Sequence, residues 1–208
     1  MRRAASILGA AIPYVSVAVG LYVARSAWVA ILLYHFGIVV ATTATGWRSR
    51  LLRVRSGWRA GASVVAVATT AMGGVALYVL WPLADATPSG LRQALSEFGL
   101  EGVSWTAFAL YYATIHPFLE ELFWRAGKSG AVDKPGWRDA AFAGYHALVL
   151  RFFVGPVWVV AIIVVLLLAS WTWRVVERRF GGLGVPLISH AAASAGIVAA
   201  ATMLARGG

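Results

Sequence analysis

Two adjacent glutamates, Glu120 and Glu121, lie within an apolar run that is long enough to cross a bilayer. A carboxylate at the centre of a bilayer costs at least ~2.5 kcal/mol on insertion scales, so both side chains must face a polar interior. A carboxylate in such a protected cavity is suited to act as a general base toward water. The pair therefore indicates acid–base chemistry between membrane helices.

The local spacing gives the two glutamates different partners. Glu121 and Arg125 are four residues apart, so they share one face of a helix and can form an ion pair. Glu120 points roughly 100° away around the same helix. We therefore expect one carboxylate to be held by Arg125 and the other to face a cavity.

Histidines supply further chemistry, because all four fall within apolar runs: His35, His116, His146 and His190. Glu120, His146 and His190 each lie eight residues from a proposed inner boundary of a span, which corresponds to ~12 Å of helix. The boundary residues are Lys128, Arg138 and Gly182. We expect three helices to bring these groups into one cavity that opens toward the inner leaflet. His190 shares a helix face with Ser194, whereas His35 is expected to be structural.

The composition specifies the environment of these residues. The chain has 208 residues, of which 60% are hydrophobic and 12% charged, and this excludes a soluble or a disordered chain. Cysteine is absent, which excludes disulfides, thiolate metal sites and a cysteine nucleophile. The net charge of +10 is interpreted as a signal of membrane orientation, and nucleic acid is not expected as a partner.

The apolar runs predict an all-α, polytopic transmembrane bundle that forms a single domain over residues 1–208. About seven spans are expected, with six or eight as alternatives because the fifth is short and contains Arg151. The first run is interpreted as a retained anchor. The predicted spans are 6–24, 28–45, 61–83, 104–124, 140–154, 157–173 and 184–205.

Basic residues indicate the orientation of the spans. With the N-terminus inside, thirteen basic residues lie at inner ends and only Arg25, Arg92 and Arg206 lie outside, which predicts an N-in arrangement. The thirteen are Arg2, Arg3, Arg48, Arg50, Arg53, Arg55, Arg59, Lys128, Lys134, Arg138, Arg174, Arg178 and Arg179. All ten tryptophans lie near proposed span boundaries, as interfacial belts require.

The connecting segments are expected to hold the other acids and to carry no chemistry. A short amphipathic stretch, 91–98, is expected to lie on the outer surface. The arginine-rich segment 46–60 is interpreted as a determinant of topology that could also bind anionic lipid. The acids assigned to these segments are Asp85, Glu97, Glu101, Asp133, Asp139 and Glu177.

Three strings in chain order carry a family resemblance. They are Glu120-Glu121-x-x-x-Arg125, Phe142-x-x-x-His146 and His190-x-x-x-Ser194. Together they resemble the CPBP family of CAAX-processing and bacteriocin-processing intramembrane proteases, over a core of about 104–205. The last string departs from that pattern, since the family usually has Asn or Asp where this chain has Ser194.

The resemblance implies a glutamate-dependent intramembrane endopeptidase, a hydrolase without an obligatory cofactor. On that analogy Glu120 and His146 activate the attacking water, Glu121 and Arg125 order the site, and His190 with Ser194 stabilises the oxyanion. The implied substrate is a protein or peptide tail near the inner leaflet, as in processing of leader peptides or in the myxosortase branch. The short chain, rich in Ala and Arg, favours a bacterial source and hence the cell membrane.

Two other classes fit the same residues. One is a metal-dependent membrane protease that uses His116, Glu120, His146 and His190 as ligands, although no His-Glu-x-x-His string supports it. The other is a non-catalytic immunity or assembly protein on the same scaffold, for which Ser194 is the main evidence.

The charge bias predicts opposite locations for two positions of the chain. Reporter fusions after Arg59 and after Arg206 should report the cytoplasm and the outside respectively, because basic residues are retained on the inner side. Alkaline phosphatase and fluorescent protein reporters measure this directly. The same location for both fusions would contradict a model with an odd number of spans.

Overall fold

The computed structural model describes residues 2–84, 90–125 and 132–207. Within them the chain is helical and contains no strand, which confirms the all-α prediction. The helices are α1 Arg2–Val17, continued by a π-helical segment Ala18–Val23, α2 Ala27–Ala44, α3 Trp47–Val54, α4 Ala60–Leu80 with a 3₁₀ turn Trp81–Leu83, α5 Gly90–Ser96, α6 Gly102–Trp124, α7 Trp137–Tyr145, α8 Ala147–Leu150, α9 Pro156–Phe180 and α10 Gly184–Gly207.

Four of the described helices are long and apolar enough to cross a membrane, and they coincide with the second, third, sixth and seventh predicted spans. They are Ala27–Ala44, Ala60–Leu83, Pro156–Phe180 and Gly184–Gly207. A shorter apolar helix, Leu8–Val23, lies on the first predicted span. Helix α6 covers the fourth as one continuous helix but is not among the four. The protein is therefore a helical, membrane-type bundle.

The fifth predicted span does not form one helix. Helix α7 ends before His146, the short α8 follows, and residues 151–153 form turns. The backbone N–H of His146 bonds to the carbonyl of Ala143, three residues earlier, which tightens the chain at this point. Pro156 then starts α9 at its first position, where proline is well tolerated.

The helices pack around a common centre. Helix α10 packs against α4 and α6, α2 packs against α1 and α6, and α7 packs against α1 and α9. Helices α9 and α10 are joined by a tight turn in which Gly181 has a φ of 72°, a left-handed conformation that glycine adopts without strain. This order places residues of α2, α6, α7 and α10 around one interior.

The short amphipathic helix α5 packs against the start of α2. Helix α5 buries Leu91, Ala94 and Leu95, and the Ala27 N–H donates to the Phe98 carbonyl at 3.0 Å. The stretch 91–98 therefore packs its apolar face against the end of the bundle at which α2 begins. The described residues do not include 85–89, which were predicted to belong to an outer segment. They also do not include Lys128, which was predicted to mark an inner boundary.

Two acids and two tryptophans were placed wrongly from the sequence. Asp139 and Glu177 are 2% and 1% exposed and lie within α7 and α9 rather than in connecting segments. Each has a buried or half-buried arginine partner, which removes the cost of an unpaired charge. Trp124 and Trp173 are buried in the core and do not belong to an interfacial belt.

The arginine-rich segment 46–60 forms α3 and a structural contact. Arg53 pairs with Glu177, and its carbonyl accepts from the Leu183 N–H at 2.8 Å. The carbonyl of Ser56 accepts from Gly184 N–H at 2.9 Å. The segment thus holds the turn between α9 and α10, in addition to any role in topology.

The close approach of α4 and α10 depends on one of two neighbouring glycines. A Cβ on Gly74 would collide with the backbone of Gly196, whereas a Cβ on Gly73 would meet nothing within 4 Å. Gly74→Ala should therefore destabilise the protein by about 1–3 kcal/mol through overpacking. Gly73→Ala should stabilise it by about 0.5–1 kcal/mol through helix propensity. Unfolding of both variants in mixed detergent micelles measures the difference, and equal effects would contradict the close packing.

Candidate functional site

Glu120 lies at the centre of the bundle with a fully buried side chain. Its Oε1 atom accepts hydrogen bonds from the Tyr34 hydroxyl at 2.5 Å and from the Tyr145 hydroxyl at 2.6 Å. Tyr34 is itself positioned by the indole N–H of Trp124, which donates to its oxygen at 2.9 Å. Helices α2 and α7 thus fix one oxygen of Glu120, while Oε2 has no hydrogen-bond partner among the described residues.

Glu121 is held quite differently from its neighbour. Its Oε1 atom accepts from Arg125 Nη1 at 2.6 Å, which confirms the predicted pair, and also lies 2.8 Å from His190 Nδ1. A carboxylate paired with arginine can only accept, so His190 carries its proton on Nδ1. The Arg125 guanidinium also lies 4.7 Å from the ring centre of Phe142 and 4.8 Å from that of Trp173. Glu121 is therefore a neutralised, structural carboxylate that orients His190.

The free oxygen of Glu120 faces two histidines. His116 Nε2 lies 3.3 Å from Glu120 Oε2, and His190 Nε2 lies 3.5 Å from the same atom. His116 comes from the preceding turn of α6, while His190 comes from α10. The His190 ring is fixed by stacking on Trp173, with ring centres 4.5 Å apart. Glu120 and His190 are therefore adjacent, as the sequence predicted.

His146 and Ser194 lie beside this cluster rather than in contact with it. His146 Nδ1 is 2.9 Å from the carbonyl of Phe142, and the His146 ring stacks on Tyr145 at 4.0 Å. No hydrogen bond from His146 to Glu120 is found among the described residues. His146 and Ser194 both line the cavity that His190 also lines. Of the six predicted site residues, four are therefore in contact with one another, and His146 and Ser194 only line the adjoining cavity. The four are Glu120, Glu121, Arg125 and His190.

An apolar cavity of about 330 Å³ adjoins the cluster. Its polar wall is formed by Tyr34, Tyr145, His146, His190 and Ser194. From there its aliphatic and aromatic lining extends along α2, α6 and α10 as far as α5. The cavity therefore extends toward the end of the bundle opposite α3. An extended, apolar chain segment fits such a cavity better than a polar ligand does.

A buried polar network supports Arg125. Arg125 Nη2 donates to the Ser170 hydroxyl at 3.3 Å, and Ser170 donates to Asp139 Oδ1 at 3.0 Å. Asp139 Oδ2 in turn accepts from Arg174 at 2.6 Å. Helices α6, α7 and α9 are therefore linked by a chain of charge-assisted hydrogen bonds that ends at Glu121.

Two further arginines close the C-terminal end of α6. Arg50 donates to the Leu122 carbonyl at 2.7 Å, and Arg138 donates to the Phe123 carbonyl at 3.0 Å. Burial lowers the pKa of Arg50. These cations offset the partial negative charge at the end of the helix that carries both glutamates.

Sequence reasoning missed several groups that the structure places at the site. Tyr34 and Tyr145 were not considered, and His35 was assigned to a purely structural role. His35 Nε2 lies 3.0 Å from His116 Nδ1, so it positions a histidine of the cluster. The available signal was a repeated dipeptide, since Tyr34-His35 and Tyr145-His146 both occur within apolar runs.

Comparison of this chain with protein-family models, with curated proteins and with solved structures found no match.

The buried network predicts unequal effects for two acid substitutions. Asp139→Asn should destabilise the protein by about 3–5 kcal/mol, because it leaves the Arg174 charge buried without its carboxylate. Glu97→Gln is the matched control, since its pair with Arg25 is about half exposed and should contribute at most ~1 kcal/mol. Both are measured by unfolding in mixed micelles. A cost below 1 kcal/mol for Asp139→Asn would contradict the supporting role of this network.

Proposed function

We propose that the protein is an intramembrane endopeptidase of the CPBP type, which hydrolyses a peptide bond of a membrane-associated protein or peptide. The residues proposed to act on the water or the oxyanion are Glu120, His146, His190 and Ser194. Glu121 and Arg125 are proposed as the residues that position His190. The observation that carries the proposal is the state of Glu120, whose fully buried side chain is held through Oε1 by two tyrosines that line the apolar cavity. Its Oε2 atom has no hydrogen-bond partner in the described part of the chain. A fixed carboxylate with one free oxygen is the arrangement that a general base requires.

In the proposed reaction a water molecule binds to Glu120 Oε2 on the side of the cavity. Glu120 takes a proton from the water as its oxygen attacks the scissile carbonyl carbon. The C–N bond of the resulting tetrahedral intermediate then breaks, and the same proton passes to the leaving amine. His146 contributes to holding the water, as the family resemblance implies.

The oxyanion requires donors on the opposite side of the scissile carbonyl. His190 donates Nδ1–H to Glu121, so a second proton on Nε2 would make it a cationic donor to the oxyanion. Glu121 and Arg125 hold His190 in this orientation, and preorganised donors of this kind contribute strongly to rate. Ser194 would supply a further hydroxyl donor in place of the longer carboxamide that is usual in the family.

The proposed setting is the bacterial cell membrane, with seven spans and the N-terminus inside. The bias of basic residues and the four long apolar helices support this arrangement. The fifth crossing then consists of α7, α8 and the turns that follow them. In this orientation the cavity extends into the outer half of the bilayer, so we place the substrate tail there rather than near the inner leaflet.

The decisive test compares proteolytic products that depend on Glu120. Membranes of the native host should contain new protein termini when the host produces the wild-type protein and not when it produces Glu120→Gln. The reason is that loss of a general base lowers the rate of peptide hydrolysis about 10²- to 10⁴-fold. Mass spectrometry of enriched protein termini is the measurement.

Glu101→Gln is the matched control, since Glu101 is exposed at the start of α6, and it should yield the wild-type termini. Each protein is first shown to be folded by its melting temperature in detergent. Identical termini for wild type and Glu120→Gln would contradict the proposal and favour a non-catalytic immunity or assembly role.

A further inference from the structure

We propose that His116, Glu120 and His190 form a binding site for a single Zn²⁺ ion. One ligand atom from each residue can be chosen so that all three lie within 4.8 Å of one another, and all three side chains are buried. Two neutral imidazoles and one carboxylate, with a fourth position left for water or another ligand, are a donor set that Zn²⁺ prefers in proteins. The inference rests on this geometry and not on the proposed proteolysis.

The distances around Glu120 Oε2 fit a tetrahedral ion. Zn²⁺ forms bonds of ~2.0–2.1 Å to nitrogen and oxygen, so neighbouring ligand atoms of a tetrahedral site are separated by ~3.4 Å. The separations from Glu120 Oε2 are 3.3 Å to His116 Nε2 and 3.5 Å to His190 Nε2. Two of the three edges of the ligand triangle therefore already have the required length.

The hydrogen bonds of His190 prepare its Nε2 atom for a metal. Its Nδ1–H donates to Glu121 Oε1 at 2.8 Å, and Glu121 is fixed in turn by Arg125. In the neutral imidazole this leaves a lone pair on Nε2 that is directed toward Glu120. A carboxylate that accepts from the second nitrogen is the usual outer partner of a zinc-binding histidine, because it fixes the tautomer and raises the basicity of the ligand.

His116 has a comparable outer partner. Its Nδ1 lies 3.0 Å from His35 Nε2, and His35 Nδ1 lies 2.7 Å from the Tyr111 hydroxyl. When His116 donates to His35 and His35 donates to Tyr111, the Nε2 atom of His116 presents a lone pair to Glu120. Stacking on Tyr112, with ring centres 4.5 Å apart, further fixes the His116 ring.

A bound cation resolves an electrostatic problem that the described side chains leave open. Arg125 balances Glu121, but the described groups that face Glu120 are histidines and tyrosines. When both imidazoles are neutral and carry their protons on Nδ1, the Nε2 lone pairs of His116 and His190 both face Glu120 Oε2. No proton then lies between these three atoms to offset their mutual repulsion. Zn²⁺ would satisfy all three atoms at once and neutralise the buried charge.

The zinc site and the proposed water site share Glu120 Oε2. An ion bound there removes the free oxygen that the proposed hydrolysis needs, so zinc and the attacking water exclude each other.

The test measures metal binding directly on the full chain in detergent. After treatment with a chelator and dialysis against Zn²⁺, wild-type protein should retain one Zn²⁺ per chain, as measured by elemental mass spectrometry. Glu120→Gln, His116→Gln and His190→Gln each remove one ligand and should abolish stoichiometric binding. His35→Ala removes only an outer partner and should weaken binding about 10- to 100-fold.

His146→Gln is the matched control, because it removes a partly buried histidine of the same cavity without removing a proposed ligand, and it should retain one Zn²⁺. If the ligand variants fail to fold, the visible absorption spectrum of the wild-type protein loaded with Co²⁺ tests the site instead. An intense visible absorption typical of four-coordinate Co²⁺ supports the site, whereas a weak six-coordinate spectrum overturns it. Absence of Zn²⁺ from the wild type, or equal binding by folded wild type and ligand variants, also overturns it.

Failure of this inference differs from failure of the proposed function. A chain that binds one Zn²⁺ but generates no Glu120-dependent termini retains the metal site and loses the peptidase proposal. A chain that generates those termini but binds no Zn²⁺ retains the peptidase proposal and loses the zinc site. His146→Gln separates the two in one protein, since it should impair cleavage while it leaves zinc binding intact.

Discussion

The burial of two adjacent carboxylates in an apolar bundle is the constraint on which the rest of the structure depends. Neither Glu120 nor Glu121 can remain at that depth without partners, because an uncompensated buried charge costs several kcal/mol. The two residues are satisfied in different ways. Glu121 receives a full positive charge from Arg125 and orients His190, whereas Glu120 receives only hydroxyl donors on one oxygen. Among the described residues each glutamate keeps one Oε2 atom without a hydrogen-bond donor, but only that of Glu120 belongs to a carboxylate that no arginine neutralises and faces the two histidines His116 and His190.

The surrounding helices make the asymmetry rigid. Ser170 and Asp139 connect Arg125 to α9 and α7. Because Arg125 is fixed in this way, it remains paired with Glu121 and does not move to Glu120. Arg50 and Arg138 bind the carbonyls at the end of α6 and fix the axial position of both glutamates. The apolar cavity on the other side contributes no competing charge. A polar, fixed cluster beside an apolar cavity is the arrangement on which both the proposed hydrolysis and the proposed zinc site depend.

Most of the fold follows from the hydrophobic pattern. Four of the predicted spans coincide with long apolar helices, since a run of about 20 apolar residues has few alternatives to a helix in a bilayer. The fifth predicted span is divided between α7 and α8, because a window of hydropathy does not detect a break of one residue, here at His146. The prediction placed Asp139 and Glu177 in connecting segments. Their burial depends on Arg174 and Arg53 from other helices, which no local pattern contains.

The sequence by itself determined a helical membrane bundle with ionisable residues inside it, and it determined the pair of Glu121 with Arg125. That pair is four residues apart on one helix, so its geometry is set by helical periodicity alone. Only the tertiary structure decided that Tyr34 and Tyr145 hold one oxygen of Glu120 and that His116 faces the other. Those contacts depend on how each helix is rotated about its axis, and that rotation is fixed by packing between helices rather than by spacing along the chain.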